Sequence, residues 1–235
     1  MARLPPMLLF AGPRRPLEAS EALDRVVRER ARSAILVEGW SDEAAVVAWA
    51  RACAVDLAGC GIAVLPVGGI TNMGKFVSAL SAPGLAVKLC GLYDASEESQ
   101  TLRILERAGL GAELTRKGAE AAGFFACVSD LEDELIRALG PVAVEELIEA
   151  QDEIRSFRIF QTQPAQLGRD MHSQLKRFVG TRAGRKIRYG SLLVQSLAPE
   201  QVPAPLRCVL AYAMVSAGST ASTESAPEAN PCCKD

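Results

Sequence analysis

The chain holds a single histidine, His172, in 235 residues. A lone imidazole without a visible partner supports neither a Ser-His or Cys-His nucleophile system nor a histidine-rich metal site, and His172 is read as structural or exposed. Cysteine is not scarce, but its patterns are: Cys53, Cys60, Cys90, Cys127, Cys208, Cys232 and Cys233 contain no C-x-x-C pair. The odd count and mostly apolar neighbours indicate reduced core thiols and exclude a structural zinc site, leaving Cys232 and Cys233 as a reactive or merely solvated pair in the tail. Long apolar runs are missing too. The longest, such as Ala34 to Val37 and Gly61 to Val67, fall far short of the ~20 residues of a membrane span. With no convincing secretory signal at the N-terminus, the expectation is a cytoplasmic protein without a membrane partner. The sequence also has no G-x-x-x-x-G-K-[ST] loop, which removes a built-in P-loop ATPase, and no fixed-period repeat, which removes a solenoid.

Nor does one sign of charge dominate. Lys and Arg total 26 against 28 Asp and Glu, a formal net charge of -2, which excludes a uniformly basic coat but not a local one. The signs are segregated. Between Ile154 and Tyr189, Arg155, Arg158, Arg169, Lys176, Arg177, Arg182, Arg185, Lys186 and Arg188 stand against Asp170 alone, a basic segment that the net charge conceals. At 49% apolar and 23% charged residues the chain has a globular balance, too apolar for wholesale disorder. Its length suits one sizeable α/β core with an appendage.

The order of elements follows from periodicity. Leu17 to Arg32 places Ala22, Leu23, Val26 and Val27 at helical spacing. Ala34 to Val37 reads as a strand ending in Glu38-Gly39, followed by a helix from Asp42 to Ala54. The alternation continues with a strand at Gly61 to Val67, a Gly68-Gly69 turn, a helix from Asn72 to Leu80, a strand from Val87 to Tyr93 and a helix from Glu97 to Ala108. A strand at Gly123 to Val128 and helices at Leu131 to Leu139 and Val142 to Ile148 complete it. Strands alternating with helices predict crossover connections and a mainly parallel sheet covered on both faces. We therefore expect an N-terminal segment and lead-in helix over 1–32, an α/β core over 33–150, a basic helical extension over 151–213 that completes the site, and a disordered tail over 214–235.

In a parallel sheet, ligands bind where the carboxyl ends of the strands meet helix N-termini. Three strands end in acids there: Val37-Glu38, Tyr93-Asp94, and Asp130 with Glu132 just after Val128. Asp42, four residues after Glu38, can address the same point. Such a cluster repels itself unless a hard cation with oxygen ligands neutralises it; taken singly, each acid is better explained as a helix cap or solvated loop residue, and it is their combination that points to a site. Gly68 and Gly69, with Lys75 a turn later, can offer backbone amides and a charge to a phosphate. In the basic segment, Arg182, Arg185 and Lys186 are the best-placed phosphate contacts. Phe157, Phe160, Phe178 and Tyr189 are either stacking surfaces or core anchors.

Ile-Leu-Val-Glu-Gly-Trp-Ser-Asp at 35–42 followed by Gly-Leu-Tyr-Asp at 91–94 resembles the TOPRIM domain of topoisomerases, bacterial primases and OLD-type nucleases. Val-Pro-Val-Gly-Gly-Ile-Thr-Asn at 65–72, Asp-Leu-Glu-Asp-Glu-Leu at 130–135 and Gly-Arg-Lys at 184–186 are most similar to the OLD type. The resemblance implies a Rossmann-like TOPRIM fold and Mg²⁺ or Mn²⁺ as cofactor. Glu38, Asp42, Asp94, Asp130 and Glu132 would be metal ligands, and Glu38, Asp94 and Lys186 catalytic groups. It implies hydrolysis of nucleic-acid phosphodiesters, DNA first, by one or two ions, in a chain that would rely on a separate ATPase partner for any ATP dependence and is compatible with a homodimer. One position departs. The family's Asp-x-Asp pattern has Ser96 in its second acidic place, so Ser96 itself, Glu97 or Glu98 would have to substitute. The alternatives are a degenerate module that binds nucleic acid or nucleotide without turnover, and a primase-like nucleotidyl transferase.

Overall fold

A computed structural model describes residues 15–215. The tail expected over 214–235 lies outside the described part from residue 216 on, Cys232 and Cys233 included, as do the first fourteen residues. In chain order the elements are α1 (Ala19–Arg28), β1 (Ser33–Val37), α2 (Trp40–Ala52), β2 (Ile62–Pro66), α3 (Ile70–Leu80), β3 (Lys88–Asp94), α4 (Glu98–Arg107), α5 (Arg116–Ala121), β4 (Phe124–Cys127), α6 (Leu131–Leu139) and α7 (Pro141–Ala150). Then follow α8 (Ile154–Gln161), α9 (Met171–Gly180), α10 (Ala183–Ser196) and α11 (Ala204–Met214), with single 3₁₀ turns at Ala95–Glu97 and Pro199–Gln201.

The four strands form one parallel sheet in the order β2-β1-β3-β4. Helical crossovers return the chain to the same end of the sheet, which suits parallel pairs, and helices cover both faces. The strands are short and mainly apolar, with Ser33, Lys88 and Asp94 at their ends; β1 and β2 are buried at every position. Alternate residues serve opposite faces. Ile35, Val37, Val64 and Leu92 join one cluster with residues of α2, α6 and α8–α11, whereas Ala34, Leu36, Leu65 and Tyr93 join another with α1, α3 and α4.

The expected basic extension is not a separate appendage. Phe157, Phe160, Phe178, Tyr189 and Leu193 lie in the same continuous cluster as Ile35 and Val64. These aromatics are core anchors, at most 8% exposed, which removes the reading of them as stacking surfaces. The last helix closes the far end of the sheet. Ser33 Oγ donates to the Ala213 carbonyl (2.9 Å) and Lys88 Nζ to the Tyr212 carbonyl (2.6 Å), tying α11 to the starts of β1 and β3 and leaving the opposite edge open.

Candidate metal centre

The chain leaves β1 in one direction for β2 and reaches β3 on the other side, so the order reverses between β1 and β3. That reversal splays the connecting loops and opens a crevice at the carboxyl ends of the two strands. Glu38 follows β1, and Asp94 ends β3. The cleft is lined by Glu38, Asp42, Asp94, Asp130, Glu132 and Lys186, over a floor of Leu92, Tyr93, Cys127 and Leu131. The five expected metal ligands and the expected lysine thus face one cavity.

Each side chain is held by local structure. Asp42 stands in the first turn of α2 and its Oδ2 accepts the Gly39 N–H (2.9 Å), so the acid that caps the helix also bends the chain around Glu38. The Glu38 carbonyl accepts the N–H groups of Gly68 (2.9 Å) and Gly69 (3.3 Å). This corrects the phosphate-loop expectation: both amides are consumed within the protein, and the glycine turn positions Glu38. The turn needs glycine because its φ values are +75° and +97°. Lys75 is exposed on α3, with Nζ 3.3 Å from Asn72 Oδ1, and does not line the cleft.

Asp130 caps α6, with Oδ1 accepting the Asp133 N–H (2.7 Å), while Oδ2 pairs with Lys176 Nζ (2.7 Å). Glu132 is only 7% exposed, and its buried Oε2 has no hydrogen-bond partner. Lys186 enters from α10, which packs along α2. The approach is as close as a backbone permits: a Cβ on Gly190 would stand 2.4 Å from the Ser41 carbonyl oxygen. At the side of α10 turned to the start of α8, Glu153 accepts from Arg185 (2.9 and 3.1 Å), Arg188 (2.5 Å) and the Tyr189 hydroxyl (3.0 Å), fixing the helix that carries Lys186.

The charges strain against one another. Burial, then Glu38, Asp130 and Asp42, push the Asp94 carboxyl up to about 7. Burial pushes Asp42 to about 6 and Glu132 to about 7, with Lys186 opposing but not cancelling the effect. Burial lowers Lys186, yet Glu132, Asp42, Asp130 and Glu38 hold it above its ordinary range. An acid set of this kind is stabilised as anions when cationic charge is added.

As the side chains stand, no group of three or more His, Cys, Asp or Glu among the described residues is arranged to hold a metal ion; the acids line the walls of the cleft. Their chemistry nevertheless fits a hard divalent cation. The donors are oxygens, and the orphaned Glu132 Oε2 is a buried acceptor that the protein does not satisfy.

Three further expectations change. Arg185 is 8% exposed and bonded to Glu153, Thr181 and the Phe178 carbonyl, so it is a structural strut and not a phosphate contact. Glu98 is turned to Arg116 (2.5 Å) and is unsuited to replace the missing acid. Ser96 is exposed in the 3₁₀ turn, whereas burial and the charge of Glu38 raise the Glu97 carboxyl, so Glu97 is the substitute nearest in influence. Arg182 is exposed at the start of α10, one turn before Lys186.

The sequence reading missed Lys176 as a site neighbour. It counted Lys176 only among the basic residues, because no local spacing announces a partner on α6.

Residues 31–95 match the family described as overcoming lysogenization defect protein-like, TOPRIM domain. The chain contains an OLD-like TOPRIM domain. This TOPRIM match includes Glu38, Asp42 and Asp94; Asp130, Glu132 and Lys186 lie beyond it. The chain is also similar to two solved OLD C-terminal regions. That of Xanthomonas campestris pv. campestris is 26% identical with a TM-score of 0.59, over 78% of this chain and 95% of that one. That of Burkholderia pseudomallei is 25% identical with a TM-score of 0.60, over 78% of this chain and 96% of that one. Comparison with curated proteins returns no match. No described helix is long and apolar enough to cross a membrane.

Proposed function

We propose that this OLD-like TOPRIM chain is a phosphodiesterase acting on nucleic acid with Mg²⁺ or Mn²⁺. The observation that carries the reading is the single cleft in which Glu38, Asp42, Asp94, Asp130 and Glu132 confront Lys186 at the switch point of the sheet. Glu38 and Asp94 would hold the cation from adjoining strand ends, with Glu97 taking the part left open by Ser96, and Asp42 and Glu132 bounding the inner wall. A divalent cation bound there supplies neutralisation of phosphoryl charge and activation of water near neutral pH. Lys186, charged and rigidly mounted on α10, would bind a non-bridging phosphoryl oxygen and stabilise the charge that grows on it. Arg182, exposed at the N-cap of the same helix, would receive a neighbouring phosphate, which makes binding salt-sensitive.

The acid set favours hydrolysis over a binding-only module, because an ammonium facing several buried carboxylates is costly to build for phosphate affinity alone. Plasmid and single-stranded DNA incubated with Mg²⁺ or Mn²⁺ test the reading. Cleavage is expected, and Glu38→Ala, Asp94→Ala and Lys186→Ala should each lower its rate by on the order of 10²-fold or more. Salt-dependent binding without cleavage by the wild-type protein would replace the hydrolase with the binding module.

A further inference from the structure

Both oxygens of Asp130 are already engaged: Oδ1 accepts the Asp133 N–H and Oδ2 the Lys176 ammonium, each at 2.7 Å. Lys176 has three donors, and three oxygens surround it: Asp130 Oδ2, Ser129 Oγ at 3.0 Å and Asp133 Oδ1 at 3.5 Å. The seat is built. Asp133 Oδ1 also meets His172 Nε2 at 2.8 Å, and its Oδ2 pairs with Arg137. His172 and Lys176 lie one turn apart on α9, so both address the same carboxylate on α6. The other flank of the cleft differs, for the charged groups that bear most on Asp94 are all acids: Glu38, Asp130, Asp42 and Glu97.

We propose that Lys176 is a built-in cation occupying the Asp130 side of the cleft, so that the protein takes up one divalent ion, on the Glu38–Asp94 side, instead of two. The inference rests on the reading of the cleft as a divalent-cation site. A second ion must approach to roughly 4 Å of the first and recruit acids such as Asp130 and Glu132. To reach Asp130 it must displace an ammonium from direct contact and then sit beside it, like charge against like charge. Lys176 is a positioning residue here. It neutralises Asp130 without touching the reacting atoms.

Mn²⁺ binding to the full chain tests this through stoichiometry, measured by calorimetry and by paramagnetic resonance of free Mn²⁺, independently of turnover. One ion per chain is expected for the wild type and for Lys176→Arg, which keeps the charge. Two are expected for Lys176→Gln and Lys176→Met, with folding checked by thermal melting. Two ions in the wild type, or one ion in a folded charge-free variant, would overturn the inference while leaving the hydrolase reading intact. No ion in the wild type would overturn both.

Discussion

Asp94, Asp42 and Glu132 sit in the folded protein at about 7, 6 and 7, against ordinary values of 3.8, 3.8 and 4.5. For an acid raised on folding, the stabilising contribution is complete below the unfolded pKa and is lost as pH climbs through the folded one. Without divalent ions these three groups therefore cost stability progressively between about pH 4 and pH 7. Glu153 and Asp133 run the other way: burial raises each, but Arg185 and Tyr189 in one case and His172 and Lys176 in the other bring them below the ordinary range. Their contribution is lost in acid. Added cations bind only the ionised carboxylates, so the rise in Tm produced by Mg²⁺ should be larger at about pH 8 than at about pH 5. Differential scanning calorimetry at the two pH values measures it, and a shift independent of pH would mean that these acids are not the ligands. At this scale the sequence was legible for Glu38 and Asp94, because strand ends announce themselves. It was not legible for Arg185 or Lys176, since whether a basic residue faces phosphate or an internal carboxylate depends on elements that meet only in the fold.

At the scale of elements, α10 decides where Lys186 stands. Gly190 lets it lie against the Ser41 carbonyl, whereas at Gly184, in the first turn, a Cβ would meet nothing within 4 Å. Replacing glycine by alanine inside a helix favours the helix by up to about 1 kcal/mol, so Gly184→Ala should be neutral or slightly stabilising. At Gly190 that gain competes with a clash against backbone, which typically costs about 1–3 kcal/mol, and the clash wins. Gly190→Ala should lower stability in denaturant titration and slow cleavage by carrying Lys186 away from Asp42. An unchanged rate in both variants would show that the helix does not set the lysine. The glycine itself was unremarked in the sequence, where a small residue inside a helix carries no sign of what it approaches. By contrast α6, Leu131–Leu139, was predicted to the residue because an Asp cap and a period of 3.6 mark both ends.

Across the whole molecule, the alternation of short apolar runs with amphipathic segments was enough to predict a parallel sheet flanked by helices. Strand order was not readable, and it is the order β2-β1-β3-β4 that converts scattered acids into one cleft. The short helix α5 escaped prediction because its six residues Arg116–Ala121 include a glycine and lack an apolar period. The basic extension is helical as expected, but part of its charge is internal: Arg158, Arg185, Arg188 and Lys176 are spent on Glu145, Glu153, Asp130 and Asp133. Lys186 in the cleft and the exposed Arg155, Arg169, Arg177 and Arg182 stand outside these ion pairs. The most direct test of the central claim is a crystal structure of the protein soaked in Mn²⁺, with the ion located by anomalous scattering. The account predicts a Mn²⁺ ion bound by oxygens of Glu38 and Asp94 at the carboxyl ends of β1 and β3. A cleft that stays free of metal at saturating Mn²⁺, or an ion bound away from both residues, would contradict it.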